Sequence, residues 1–142
     1  MKLTKKIIDG TEEYFKNGVK KYEHRKDSNG YEVWNEYDSN GNEVHRKYND
    51  GFEWWREYNN KGNNIHFKDS DGYEWWKKYD NKGNNIHYKT SNGYELWSEY
   101  DSKGNKIHFK NSDGTEWGKK DILEVVEVKE EIDIEPFTFK NK

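Results

Sequence analysis

Tyr79–Glu99 reads YDNKGNNIHYKTSNGYELWSE. Immediately before it, Tyr58–Lys78 reads YNNKGNNIHFKDSDGYEWWKK, and immediately after it Tyr100–Lys120 reads YDSKGNKIHFKNSDGTEWGKK. The chain writes nearly the same 21 residues again and again. His24, His45, His66, His87 and His108 keep that step, as do Trp34, Trp55, Trp76 and Trp97. Gly30, Gly51, Gly72, Gly93 and Gly114 form one glycine series, and Gly41, Gly62, Gly83 and Gly104 a second. Self-similarity at a fixed period is the signature of a repeat architecture. The first unit, around EYFKNGVKKYEHRK, carries its glycine out of step and reads as an atypical cap.

Each unit holds two short runs rich in aromatic and β-branched residues, separated by turn signals. One turn is Ser-Asp-Gly or Ser-Asn-Gly, and the other is Asp-x-x-Gly, as in Asp80–Gly83. Each repeat is therefore a hairpin. The fold class is all-β: an antiparallel meander of tandem hairpins in one twisted or curved sheet. Residues 1–30 form the cap, 31–120 the tandem repeats, and 121–142 an acidic C-terminal strand or tail.

Because 21 is odd, one of the two loops must be even and the other odd if every repeat is to keep the same faces. One solution gives Ser-Asp-Gly two loop residues and Asn-Lys-Gly three. The other makes Ser70–Gly72 a three-residue loop and Asp80–Gly83 a four-residue loop. The second sorts the side chains better. It puts Ile65, Phe67, Tyr73, Trp75, Lys77 and Tyr79 on one face, and His66, Lys68, Glu74, Trp76 and Lys78 on the other. A register that mixed Glu74 and Lys78 with Ile65 would bury charge. Pairing then predicts an aromatic row Trp54, Phe67, Trp75, Tyr88, Leu96, Phe109, Trp117. The other face gains a Lys–Glu row through Glu53, Lys68, Glu74 and Lys89, and a row alternating His45, Trp55, His66, Trp76, His87 and Trp97.

Composition agrees with strands. There is no alanine, and only 23 residues are Leu, Ile, Val or Phe. That fraction, about 16%, falls in the range typical of disordered chains. Aromatic residues at 17% supply the missing apolar surface, and a net charge of -3 leaves little self-repulsion. No apolar run is long enough to span a membrane. The start shows no secretion signal, and cysteine is absent, which together fit a cytoplasmic protein.

Tyr37-Asp38, Tyr79-Asp80 and Tyr100-Asp101, each followed by x-x-Gly-Asn or Ser-Asn-Gly-Asn, resemble the YD repeat of RHS and teneurin-type proteins. The resemblance covers about residues 31–117 and implies hairpins in a long spiralling sheet used as a shell or adhesion scaffold. MORN-type and choline-binding hairpin repeats are weaker likenesses. The chain departs from the family after the glycine, where Gly-Asn-x-Ile-His stands in place of Gly-Arg-Leu.

The histidines invite a metal, but histidines two strands apart lie roughly 9–10 Å from each other. Zinc gathers its ligands within about 2.0–2.3 Å of one point, so neither metal nor other cofactor is expected. No nucleophile motif or phosphate loop points to an enzyme. A glutamate opposite each lysine argues against nucleic acid, which wants uncompensated positive charge. What remains is protein binding. Trp34, Trp55, Trp76 and Trp97, with His45, His66, His87, Glu53 and Glu74, form the candidate surface, because Trp dominates binding hot spots. A small inhibitor of immunity or anti-defence type fits, with cell-wall glycan or single-stranded nucleic acid as the alternative ligand. A sheet exposing four tryptophans also suggests a homodimer. The segment ILEVVEVKEEIDIEPFTF alternates apolar and acidic residues, and three roles suit it: capping the last repeat, covering the apolar face, or docking.

Overall fold

The structure is a computed structural model that describes residues 2–118. Its elements are β1 (Thr4–Ile8), β2 (Thr11–Lys16), β3 (Val19–Lys26), β4 (Glu32–Tyr37), β5 (Glu43–Tyr48) and β6 (Glu53–Tyr58). They continue with β7 (Asn64–Asp69), β8 (Glu74–Tyr79), β9 (Asn85–Thr90), β10 (Glu95–Tyr100), β11 (Lys106–Asn111) and β12 (Glu116–Gly118). All twelve lie in one antiparallel sheet in sequence order. Successive hairpins build it, as the repeat demands. The acidic segment 121–142 lies outside the described residues.

The cap uses different turns from the repeats. Asp9-Gly10 and Asn17-Gly18 have positive φ at both residues, 50° and 79°, then 52° and 80°. Those are two-residue type I′ turns, whose twist matches the flanking strands. They pair Ile8 with Thr11 and Lys16 with Val19.

Within the repeats both turn types are the same object. Asp69 donates its N–H to the Tyr73 carbonyl at 2.9 Å, and Gly72 to the Asp69 carbonyl at 3.2 Å. Asp80 and Asn84, then Gly83 and Asp80, repeat this at 2.9 and 3.1 Å. The predicted four-residue loop at Asp80–Gly83 is thus a three-residue loop, Asn81–Gly83. The odd residue is absorbed one step later. Tyr79 pairs with Asn85 but Lys78 pairs with His87, so Ile86 is left over as a β-bulge. Val44, Ile65 and Ile107 occupy the same place. A bulge puts two residues opposite one, which restores the parity that the four-residue loop was invoked to supply. Phe67, Trp75 and Lys77 are therefore sorted from His66, Lys68, Glu74, Trp76 and Lys78 as predicted, by a different device, while Ile65, on the bulge, has no cross-strand partner.

The bulge has a second effect, and it corrects the predicted rows. Across the Ser-x-Gly turns the pairs are the expected ones: His66 with Trp76, Phe67 with Trp75, Lys68 with Glu74. Across the Asp-x-x-Gly turns the partners are displaced by two residues. Trp76 faces Lys89, not His87, and Lys77 faces Tyr88. Trp55 likewise faces Lys68, and Arg56 faces Phe67. One row therefore reads Glu57, His66, Trp76, Lys89, Glu95 across β6 to β10. Equivalent residues slide about 6.8 Å along the strands for every ~9.6 Å across them.

Side-chain carboxylates and amides hold the turns. Asp80 Oδ1 accepts the N–H groups of Lys82 and Asn84 at 3.0 and 2.9 Å, and its Oδ2 accepts Asn84 Nδ2 at 3.2 Å. Each turn ends on a glycine with φ between 84° and 94°. At Gly72, with φ of +92°, an added Cβ would meet no atom within 4 Å. The requirement there is conformational rather than steric crowding. Gly72→Ala is expected to cost about 1–2 kcal/mol, the usual penalty for an L-residue in the left-handed region. Chemical denaturation beside Asp71→Ala checks it, and equal midpoints would remove the explanation.

Among the described residues the sheet has no second layer. Only Val33 and Trp54 are buried apolar side chains. Stability comes from neighbours within each face, one strand on the next.

Candidate interaction surface

The face that carries the repeated histidines and tryptophans is built from β3 to β12. Trp34, Trp55, Trp76 and Trp97 are each 39–41% exposed. Each stacks on the histidine opposite: His24–Trp34 and His45–Trp55 at 5.0 and 5.2 Å, His66–Trp76 and His87–Trp97 at 5.5 Å. Interplanar angles run from 5° to 25°. Parallel rings whose centroids are one strand spacing apart, about 4.8 Å, overlap face to face. The rings therefore stand up from the sheet, and each indole offers its edge to solvent.

The carboxylates of this face go chiefly to histidine, although Glu12 also pairs with Lys5 and Glu36 stands 3.5 Å from Lys21. His66 is bonded at both ring nitrogens, Nδ1 to Glu57 at 2.9 Å and Nε2 to Glu74 at 2.7 Å. His24 lies between Glu12 and Glu32 at 3.0 and 2.6 Å, and His108 between Glu99 and Glu116 at 3.0 and 2.7 Å. An ionised carboxylate only accepts, so a ring between two of them donates to both only as an imidazolium, and the pairing favours that form. The Glu12 hydrogen bond is the main cause that raises His24, with Glu32 adding to it against burial. Burial opposes charge on His66 most, but the bonds from Glu57 and Glu74 outweigh it and the pKa rises. For His108 the Glu116 bond leads, burial opposes, and Glu99 adds.

The other two histidines are held less symmetrically. His45 Nε2 meets Glu53 at 3.0 Å, while Glu36 stands 3.8 Å from its Nδ1. His87 has Glu95 at 2.8 Å, and across its other side β8 places Lys78 where β6 and β10 place Glu57 and Glu99.

All the sequence-predicted site residues thus share one face: Trp34, Trp55, Trp76, Trp97, His45, His66, His87, Glu53 and Glu74. Their grouping differs from the forecast in one respect. Lys47, Lys68 and Lys89 stand opposite Glu53, Glu74 and Glu95. Those carboxylates are turned to His45, His66 and His87 at 3.0, 2.7 and 2.8 Å. The expected Lys–Glu ion ladder is a Lys stripe beside His–Glu clamps. Sequence reasoning missed the second carboxylate beside His45, His66 and His108. Its signal was present: Glu36, Glu57 and Glu99 each stand nine residues before a histidine.

It also missed what the turn serines do. Ser70 Oγ accepts the Glu53 N–H at 3.0 Å while Ser70 N–H donates to the Glu53 carbonyl at 2.9 Å. Ser91 with Glu74 and Ser112 with Glu95 repeat the exchange. Each hairpin is thereby fastened to the one before. Ser91→Ala is expected to cost about 1 kcal/mol, the net worth of one such bond. Thermal melting tests it, with Ser102→Ala in a turn as the control.

The tryptophan series stops at a defined point. Position 118, one step after Trp97, is Gly118, opposite His108. A Cβ there would meet the Ile107 carbonyl oxygen at 2.2 Å. The last repeat therefore has no room for the ring that its predecessors carry.

The opposite face is aromatic and bears cations. Trp54 packs near Phe67 at 6.1 Å, and Phe67 stacks on Trp75 at 5.9 Å. Arg56 lies over Trp54 at 4.2 Å and Lys77 over Trp75 at 4.4 Å. Asn35 is buried beside this row and bonds Glu43, which also takes Arg46 at 2.9 Å.

No group of three or more His, Cys, Asp or Glu among the described residues is arranged to hold a metal ion. Comparison with protein-family models gives no match, and comparison with curated proteins gives no relative.

Proposed function

We propose that the chain is a non-enzymatic protein-binding module, a small inhibitor of immunity or anti-defence type that acts by covering a partner's surface. The observation that carries this reading is the row of four upright indoles. Each exposes about two-fifths of its surface while its ring is fixed by a histidine. A rigid aromatic edge loses little entropy on contact, which is what a hot spot requires. The repetition lets several such edges engage one partner. The Tyr-Asp turns, with their likeness to adhesion-type repeats, point the same way.

Upright rings suit a glycan poorly, because a sugar stacks on a flat aromatic face. Single-stranded nucleic acid is the second reading. Lys47, Lys68 and Lys89 favour it, since their opposed glutamates are held by histidine.

Affinity capture from lysate, with wild type beside Trp55→Ala/Trp76→Ala/Trp97→Ala, tests both. The expected result is one dominant protein that is lost with the triple variant, at least a hundred-fold in recovery. An unchanged catch would discard this face. Retention on single-stranded DNA that collapses with added salt, without any captured protein, would establish the second reading instead.

A further inference from the structure

Each histidine of the Trp–His face has one residue directly across from it on the preceding strand. For His24, His45, His66 and His108 that residue is Glu12, Glu36, Glu57 and Glu99 in turn. For His87 it is Lys78. The charge is reversed at this one step while its surroundings are kept. Glu95 still holds His87 Nε2 at 2.8 Å, and Trp97 still stacks on the ring at 5.5 Å. The clamp at His87 is therefore half built. Among the described residues no carboxylate reaches His87 Nδ1 or Lys78 Nζ. Lys78 is exposed, and an ammonium has three donors and no acceptor, so it asks for an anion.

The ground beside Lys78 is apolar. An open hollow of about 610 Å³ borders it, walled by Ile65, Trp76 and Ile86. Ile86, the bulge residue next to His87, is 36% exposed. The one acid on the rim of the hollow, Glu57, is already taken by His66 at 2.9 Å. The place thus combines an unmet pair of donors with an uncovered aliphatic wall. Charge complementarity calls for a carboxylate that arrives beside an apolar side chain.

We propose that a partner protein completes this clamp. One of its Asp or Glu side chains lies between His87 and Lys78, in the position that Glu57 and Glu99 occupy at 2.9 and 3.0 Å from His66 and His108. An aliphatic side chain next to it enters the hollow at Ile65 and Ile86. The proposal rests on the protein-binding reading of the Trp–His face and names what the partner brings to it. It also separates binding from stability. A glutamate at position 78 would serve the sheet better than lysine and the partner worse.

The test compares full-length wild type with Lys78→Glu. The probe is the blocked peptide acetyl-Leu-Glu-Leu-amide, beside acetyl-Leu-Gln-Leu-amide and inorganic phosphate. The readout is the Cε1 proton line of His87 among the five histidines, assigned by substitution. The glutamate peptide is expected to move that line saturably and to leave those of His24, His66 and His108 in place. The glutamine peptide, and the glutamate peptide on Lys78→Glu, should bind about ten-fold more weakly, the least that a hydrogen bond to a charged group contributes. At about pH 6, below the ordinary histidine value, Lys78→Glu should melt a few degrees above wild type, because it supplies the missing carboxylate itself. A still His87 line, an equal response to the glutamine peptide or to phosphate, or a lower midpoint in Lys78→Glu would overturn the proposal. In the lysate capture, a catch lost with the triple tryptophan variant but undiminished in Lys78→Glu would overturn the carboxylate site alone. A catch that survives both would overturn the face as a binding surface.

Discussion

Trp54→Ala is expected to destabilise the protein by about 3–5 kcal/mol, the range for deleting a buried aromatic ring. Its neighbour Trp55→Ala should cost clearly less, about 1 kcal/mol, the worth of a stacked aromatic pair. The two residues are adjacent and identical in kind, so the comparison isolates the face. Trp54 is 7% exposed and Trp55 39%. Trp54 is also the ring under Arg56 at 4.2 Å and near Arg46 at 5.5 Å, so its loss takes from Arg56 its nearest partner, while Arg46 keeps Glu43 at 2.9 Å. Chemical denaturation followed by far-ultraviolet circular dichroism measures both. Equal losses, or a larger loss for Trp55, would mean that the sheet is held together from its other side.

Raising the pH through and above neutrality is expected to lower the thermal midpoint progressively. His24, His66 and His108 have pKa values raised by their paired glutamates. For a group whose folded pKa is raised, the stabilisation is fully present below the unfolded value, about 6.5. It disappears as pH climbs through the folded value. The acid side has the opposite sign. Glu12 is lowered chiefly by its bond to Lys5 and next by His24, and Glu13 chiefly by Lys20. Their contribution is present above the ordinary glutamate value, about 4.3, and fades as pH falls through the lowered one. The optimum should therefore sit in mildly acidic solution, between the two losses. In His24→Gln/His66→Gln/His108→Gln the alkaline decline should flatten while the acid limb persists. An alkaline decline of unchanged steepness in that variant would show that other groups cause it.

Much of this fold was legible because it is periodic. The 21-residue step, the glycine pairs and the alternation of Phe67, Trp75 and Lys77 against His66, Trp76 and Lys68 were enough to give a hairpin meander and both its faces. The rows were not legible. Asp80–Gly83 satisfies a parity count equally well as a four-residue loop or as a three-residue loop followed by a bulge at Ile86. The two differ by a two-residue slide, and parity is blind to even numbers. That slide decides whether Trp76 meets His87 or Lys89. The destination of the carboxylates was hidden for a related reason. Glu74 stands directly opposite Lys68 and diagonally from His66. Only the side-chain geometry shows that the diagonal partner takes it. The serine fastening escaped because Ser70 and Ser91 look like ordinary turn residues until the preceding hairpin is in place.

Among the described residues the contacts between repeats, from the serine exchange to the stacked rings, run to the adjacent hairpin. Copy number is therefore a free variable. Gaining or losing one 21-residue unit would leave the chemistry of all the others unchanged and alter only the valency of the face. A partner meeting several identical weak contacts in series is held by their number, because each contact after the first is made at high effective concentration. Strength of binding in such a molecule can be tuned by counting, without changing a single side chain.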